Sequence, residues 1–109
     1  MLNRLTVNDL PLTERPRERL TRLGAEALSD QELLACLLGR GIAGESVLIT
    51  VQRLLAAFGS LPQVAAASVE QLAAVHGIGL AKAAQLKAAA ELARRMAPPA
   101  HGHQQPLID

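Results

Sequence analysis

Seven consecutive residues, His76-Gly77-Ile78-Gly79-Leu80-Ala81-Lys82, carry the clearest chemistry in the chain. Glycine reaches positive φ at no steric cost and has no side chain to hold a phosphate away from the backbone. The first N–H groups of a helix lack intrahelical partners, and the aligned peptide dipoles concentrate about half a positive charge there. Gly77 and Gly79 are thus placed to turn bare backbone toward an anion, and Lys82 adds a cation in the first turn of the helix that follows. Ile78, apolar between them, is expected to point inward and pin the turn to the core. Such a site suits a phosphodiester held without base contacts. The duller reading is that Gly-Ile-Gly only joins two helices. A dinucleotide fingerprint is excluded, because G-x-G-x-x-G needs a third glycine where Lys82 stands.

A second, weaker candidate lies upstream at Gly39-Arg40-Gly41, within the longer stretch that runs on through Gly44 and Glu45 to Ser46. Arg40 is a candidate phosphate contact and equally a solvated loop residue, and Glu45 places a negative charge where a phosphate would sit. Other chemistry-bearing residues read as ordinary ones. His101-Gly102-His103 has the H-x-H spacing of a metal site but too little chain after it to complete one, so no metal and no cofactor are expected. Cys36 lies on the apolar side of a leucine-rich helix, where cysteine behaves as a small buried hydrophobe. Arg15, Arg17, Arg19 and Arg22 alternate with Glu14 and Glu18 and read as a solvated or internally paired face. Lys87 and Arg94 share a helix face. No acid–base pair accompanies a nucleophile, so the chain itself is not expected to be an enzyme.

These residues must be positioned by helices. The chain has 109 residues, half of them hydrophobic, with Phe58 the only aromatic. Ala and Leu number 20 each against six Val and four Ile, which argues for helices and against a β sandwich. No apolar run approaches the ~20 residues of a membrane span, and the start does not read as a secretory signal, so no membrane partner and a cytoplasmic location are expected. Net charge is +1, far from a dedicated nucleic-acid coat. It is unevenly spread: residues 1–24 carry five Arg against three acids and residues 71–109 four cations against two, whereas residues 25–70 carry two Arg against five acids.

Pro16 opens a helix that Gly24 closes. Ser29 and Glu32 form a capping-box pattern ahead of Leu33, Leu34, Leu37 and Leu38. A further helix starts near Ser46, carries Val47, Leu48, Val51, Leu54 and Leu55, and ends before Gly59. Pro62 allows a short turn through Ala67, Ser68 caps a helix to about Val75, and a last helix runs from about Leu80 to Ala97. Half of the six prolines fall in the tail, which is expected to be disordered. Shifting the sequence by 38 positions places Glu32 on Glu70, Leu34 on Leu72, Gly39 and Gly41 on Gly77 and Gly79, Leu48 on Leu86 and Leu54 on Leu92. This internal repeat makes each copy a capped helix, a G-x-G turn and a second helix. Two such hairpins can bury apolar faces that neither could bury alone.

The run from Ala67 through Gly79 to Lys82-Ala83 resembles the second hairpin of tandem helix-hairpin-helix domains of DNA-handling proteins. Across most of the chain, Asp9-Leu10-Pro11, Glu14-Arg15-Pro16-Arg17-Glu18, Leu28-Ser29-Asp30, Glu32-Leu33-Leu34, Gly44-x-Ser46-Val47 and Phe58-Gly59-Ser60-Leu61 resemble the amino-terminal region of the RadC family. That resemblance implies a bacterial protein associated with DNA repair, whose relatives continue into a zinc-dependent JAMM/MPN metallopeptidase-like domain that is not in this sequence. By resemblance to helix-hairpin-helix domains, Gly77 and Gly79 give backbone contacts to phosphate and Lys82 a side-chain contact. Two positions depart: Leu80 stands where relatives often have Pro, and His76 where they often have Lys.

The expected architecture is all-α, a tandem helix-hairpin-helix domain of about five to six short helices. Residues 1–27 form an amino-terminal extension, 28–97 the domain with turns near 39–46 and 76–80, and 98–109 a tail. Gly77, Ile78, Gly79, Lys82, Gly39, Arg40 and Gly41 are the expected DNA-binding residues. The rival expectation is a module for a protein partner, or for docking a regulated domain, that keeps the fold without DNA. The near-neutral charge, Glu45 in the first turn and the lack of stacking aromatics favour it.

Overall fold

The computed structural model describes residues 15–98. Helix α1 (Pro16–Leu23) passes through a 3₁₀ turn (Ala25–Ala27) into α2 (Asp30–Leu38), and α3 (Val47–Phe58), α4 (Leu61–Ala66), α5 (Val69–Ala73) and α6 (Gly79–Met96) follow. The all-α expectation holds, with six α-helices and no strand among the described residues. His101 and His103 lie outside those residues, as does nearly all of the expected tail.

Serines punctuate the chain. Ser29 accepts from the Glu32 N–H at 3.1 Å while Glu32 accepts from the Ser29 N–H at 2.9 Å, the reciprocal capping box expected for α2. Ser68 and Gln71 repeat it at α5, at 3.0 and 2.9 Å. Ser46 caps α3 through the Leu48 N–H, and Ser60 caps α4 through the Gln63 N–H. Each such cap is worth about 1 kcal/mol, which matters for helices as short as α4 and α5. The Pro62 segment, expected as a turn, is helix α4: proline at the second helical position has no N–H to waste, and Ser60 supplies the start.

The core gathers Leu34, Ala35 and Leu38 of α2, Val47, Val51 and Leu54 of α3, Val64 of α4, Leu72 of α5 and Ala83 and Leu86 of α6. Truncating a fully buried leucine such as Leu54 or Leu72 to alanine typically costs about 2–5 kcal/mol. Helix α1 joins α2 through the Arg19–Glu32 ion pair, 2.6 Å. Three polar tethers fix the longer helices against their neighbours. Gln85 of α6 donates to the Leu37 carbonyl at the end of α2 at 2.9 Å, Lys87 donates to the Ala65 carbonyl of α4 at 2.7 Å, and Arg53 of α3 grips Glu45.

The 38-residue repeat survives in the order of helices but not in their registers. Leu54 is fully buried whereas its repeat mate Leu92 is 58% exposed, and Leu37 and Cys36 are only partly covered. The second helix of the first copy begins eight residues after Gly39, at Val47, whereas that of the second copy begins at Gly79, two residues after Gly77. Helix α6 therefore runs on past the core, and its last turns expose Leu92 and Met96.

Candidate functional site

Helix α5 ends at Ala73, and the chain turns through Ala74–Ile78 with the Ile78 N–H donating to the Val75 carbonyl at 3.0 Å. Gly77 takes φ +95° and Gly79 φ +63°, backbone that L side chains rarely adopt. Ile78 between them is buried, so the turn is anchored as expected. Gly79 faces open space: a Cβ built there would have no neighbour within 4 Å. It begins the 18-residue α6, which has neither a side-chain cap nor an acid in its first turn. Lys82 lies in that turn, half-buried, with no carboxylate partner among the described residues. The N–H groups that open α6, the helix dipole and the Lys82 ammonium thus act in one place, with no acid in the first turn of the helix. His76 and Leu80 flank the turn and are both exposed.

Gly77 is held by a residue that the sequence reading passed over. A Cβ at position 77 would lie 2.7 Å from Thr50 Oγ1 and 3.0 Å from Thr50 Cγ2, so the glycine allows α3 and the turn to meet backbone to side chain. Thr50 is fully buried, and its hydroxyl has no hydrogen-bond partner among the described residues. Its position was readable, because it falls on the Val47–Val51–Leu54 face, but a threonine there looks like a polar surface residue.

The first turn is built differently. Gly39 closes α2 at φ +80°, and the exposed Arg40 follows with its N–H donating to the Leu38 carbonyl at 2.9 Å. Gly41 has ordinary φ and is required by crowding: a Cβ would sit 2.3 Å from the Glu45 carbonyl oxygen and 2.7 Å from the Val47 nitrogen. The bare backbone of Gly41 thus faces its own loop. Glu45, expected to repel an anion, is held by Arg53 through two bonds of 2.7 and 2.8 Å, a bidentate pair that largely neutralises it.

Both turns rest on the start of α3. Gly41 abuts Ser46 and Val47, and Gly77 abuts Thr50, three residues or about 4.5 Å farther along the helix. The Gln85–Leu37 bond ties α6 to the end of α2 beside Gly39. Folding therefore gathers Gly39, Arg40 and Gly41 with Gly77, Ile78, Gly79 and Lys82 around one end of α3, although their sequence spacing is nearly 40 residues. Lys87 and Arg94 are engaged elsewhere, Lys87 with Ala65 and Arg94 with Glu91, whose carboxyl the Arg94 and Arg95 guanidiniums hold down to about 2. Among the described residues no cluster of three or more His, Cys, Asp or Glu could hold a metal ion, and no helix is long and apolar enough to cross a membrane.

The profile of the family described as UPF0758 N-terminal matches residues 7–84, most of the chain and both glycine turns. The chain belongs to the UPF0758 amino-terminal family. A UPF0758 protein of Moorella thermoacetica is 52% identical over 93 residues, covering 85% of this chain and 41% of that relative. One from Clostridium kluyveri is 45% identical over 95 residues, 87% of this chain and 42% of the relative, and one from Methanosarcina acetivorans is 46% identical over 95 residues. The chain thus spans about two-fifths of the length of the curated UPF0758 relatives it matches. No solved structure matches it. The RadC-like resemblance of Asp9 to Leu61 points to this same family.

Proposed function

We propose that this UPF0758 amino-terminal domain is a sequence-independent DNA-binding module of helix-hairpin-helix type, holding backbone phosphates chiefly through the turn that opens α6. One observation carries the reading: two positive-φ glycines begin an uncapped 18-residue helix, with Lys82 unpaired in its first turn and Ile78 fixing the turn to the core. Gly39 and Arg40 add a second, weaker contact across the same end of α3, with Gly41 shaping the loop between them. So few contacts support only weak binding, on the order of 10⁻⁴–10⁻⁶ M. The RadC-like resemblance supports a role for that contact in DNA repair.

The test is titration of fluorescently labelled duplex and branched DNA at rising salt. The label belongs on the DNA because the chain has no Trp or Tyr. Lys82→Ala should make the log–log salt slope shallower by about 0.9, the share of one neutralised phosphate. An unchanged slope removes Lys82 from the contact. A second reading, a protein-docking module, draws on the apolar exposure of α6: Leu80 is 69% and Met96 78% exposed. No DNA binding at low salt, together with binding to the remaining part of a UPF0758 relative supplied separately, would favour that reading.

A further inference from the structure

Between the start of α1 and the 39–46 turn lies an open cavity of about 560 Å³ whose charged and reactive lining among the described residues is Arg15, Arg17, Glu18, Cys36, Arg40 and Glu45. Two of these bear directly on its sign. Among the described lining residues Glu45 is held by Arg53, and Arg17 and Arg40 bring two guanidiniums beside the carboxylate of Glu18. Arg17 and Arg40 are both exposed, and neither guanidinium has a carboxylate partner among the described residues. Arg17 is therefore not part of an internally paired face: its Nη2 lies 3.9 Å from where a Cβ on Gly39 would stand. It is also near enough to Cys36 to oppose the burial that pushes that thiol up.

The geometry points to this cavity as a second phosphate site, in which the Arg17 and Arg40 side chains grip a DNA backbone phosphate beside the first glycine turn. It rests on the phosphate-binding reading of the turn at Gly77–Gly79 and explains how the first turn takes part although Gly41 faces its own loop. A planar guanidinium offers paired donors that fit phosphate oxygens, so two of them can replace the backbone N–H groups that the longer loop withholds. Arg17 belongs to α1, outside both repeat copies, so α1 becomes part of the binding surface.

The experiment compares the whole 109-residue chain with Arg17→Gln, Arg40→Gln, the double variant and the charge-keeping Arg17→Lys/Arg40→Lys variant. Both side chains are solvent-facing, and unchanged thermal melts by circular dichroism confirm that each variant is folded. The double Gln variant should flatten the salt slope for duplex DNA by about 0.9, the share of the one phosphate the two side chains hold, with the Lys pair restoring most of it. DNA binding that still depends on Lys82 but is unaffected in the double Gln variant overturns the cavity site and leaves the turn at Gly77–Gly79 intact. If the parent chain binds no DNA, the Gly77–Gly79 reading fails on its own and pyrophosphate decides the cavity. Amide shifts at Gly39, Arg40 and Gly41 that vanish in the double Gln variant keep an anion site for free phosphate compounds, and their absence in the parent chain overturns it.

Discussion

Replacing Gly77 with alanine tests the contact on which the whole site rests. The residue sits at φ +95°, beyond the small left-handed basin that L side chains tolerate, so an alanine there costs about 1–3 kcal/mol in backbone strain. The new methyl would also stand 2.7 Å from Thr50 Oγ1 and 3.0 Å from Thr50 Cγ2. Threonine is stiff at χ1 and this one is fully buried, so it cannot swing clear, and overpacking adds about 1–3 kcal/mol. The expected loss is about 2–6 kcal/mol, against about 1–2 for Gly79→Ala, where φ is +63° and no atom lies within 4 Å. Urea unfolding followed by circular dichroism measures both. Thr50→Ala in the Gly77→Ala background removes the collision but not the strain, so a double-mutant cycle should return about 1–3 kcal/mol. Equal costs at Gly77 and Gly79, or no coupling between positions 50 and 77, would refute the idea that Thr50 seats the turn.

Thr50→Val keeps the shape and removes a buried hydroxyl without a partner, so it should be neutral or stabilising by about 1 kcal/mol; a clear loss in the same urea assay would mean that the hydroxyl is bonded. Gly41→Ala should cost at least about 3 kcal/mol although its φ is ordinary, because the colliding atoms at 2.3 and 2.7 Å are backbone and cannot rotate away. Glu91 titrates at about 2 instead of its ordinary 4.5. A lowered folded pKa contributes stability above the unfolded value and loses it as pH falls from about 4.5 through about 2. NMR should find its carboxyl midpoint there and α6 fraying at its carboxyl end over that window, less so in high salt because the group is exposed. A midpoint near 4.5 removes the Arg94 and Arg95 pairing.

What could be read from residues alone was what is local. The two capping boxes are four-residue patterns whose bonds close within their own turn, so Ser29 and Ser68 announced α2 and α5 without knowledge of the rest. The positive-φ glycines at 39, 77 and 79 were visible for the same reason. Helix α4 was missed because six residues are too few to show a period, and only the Ser60 cap with proline in the first turn marks it. Thr50 was missed because its significance is a contact across 27 positions. The greater length of the first turn was legible, since the next helix is expected near Ser46, but not its consequence: α3 starts six residues later than α6 relative to its G-x-G, and Gly41 packs against its own loop. The family resemblance was legible because its residues are spread through the whole stretch from Asp9 to Leu61.

Helix α6 begins at the turn that faces solvent and ends at Met96, 18 residues and about 27 Å away. No glycine or proline interrupts it between Gly79 and Met96, and Gln85 and Lys87 clamp its first half to α2 and α4. It behaves as a spar: its outer end cannot reorient without carrying the turn with it. In a longer relative that keeps this helix, whatever is joined beyond it has its bearing set by the same element that opens at the Gly77–Gly79 turn. Torque applied at either end is then felt at the other.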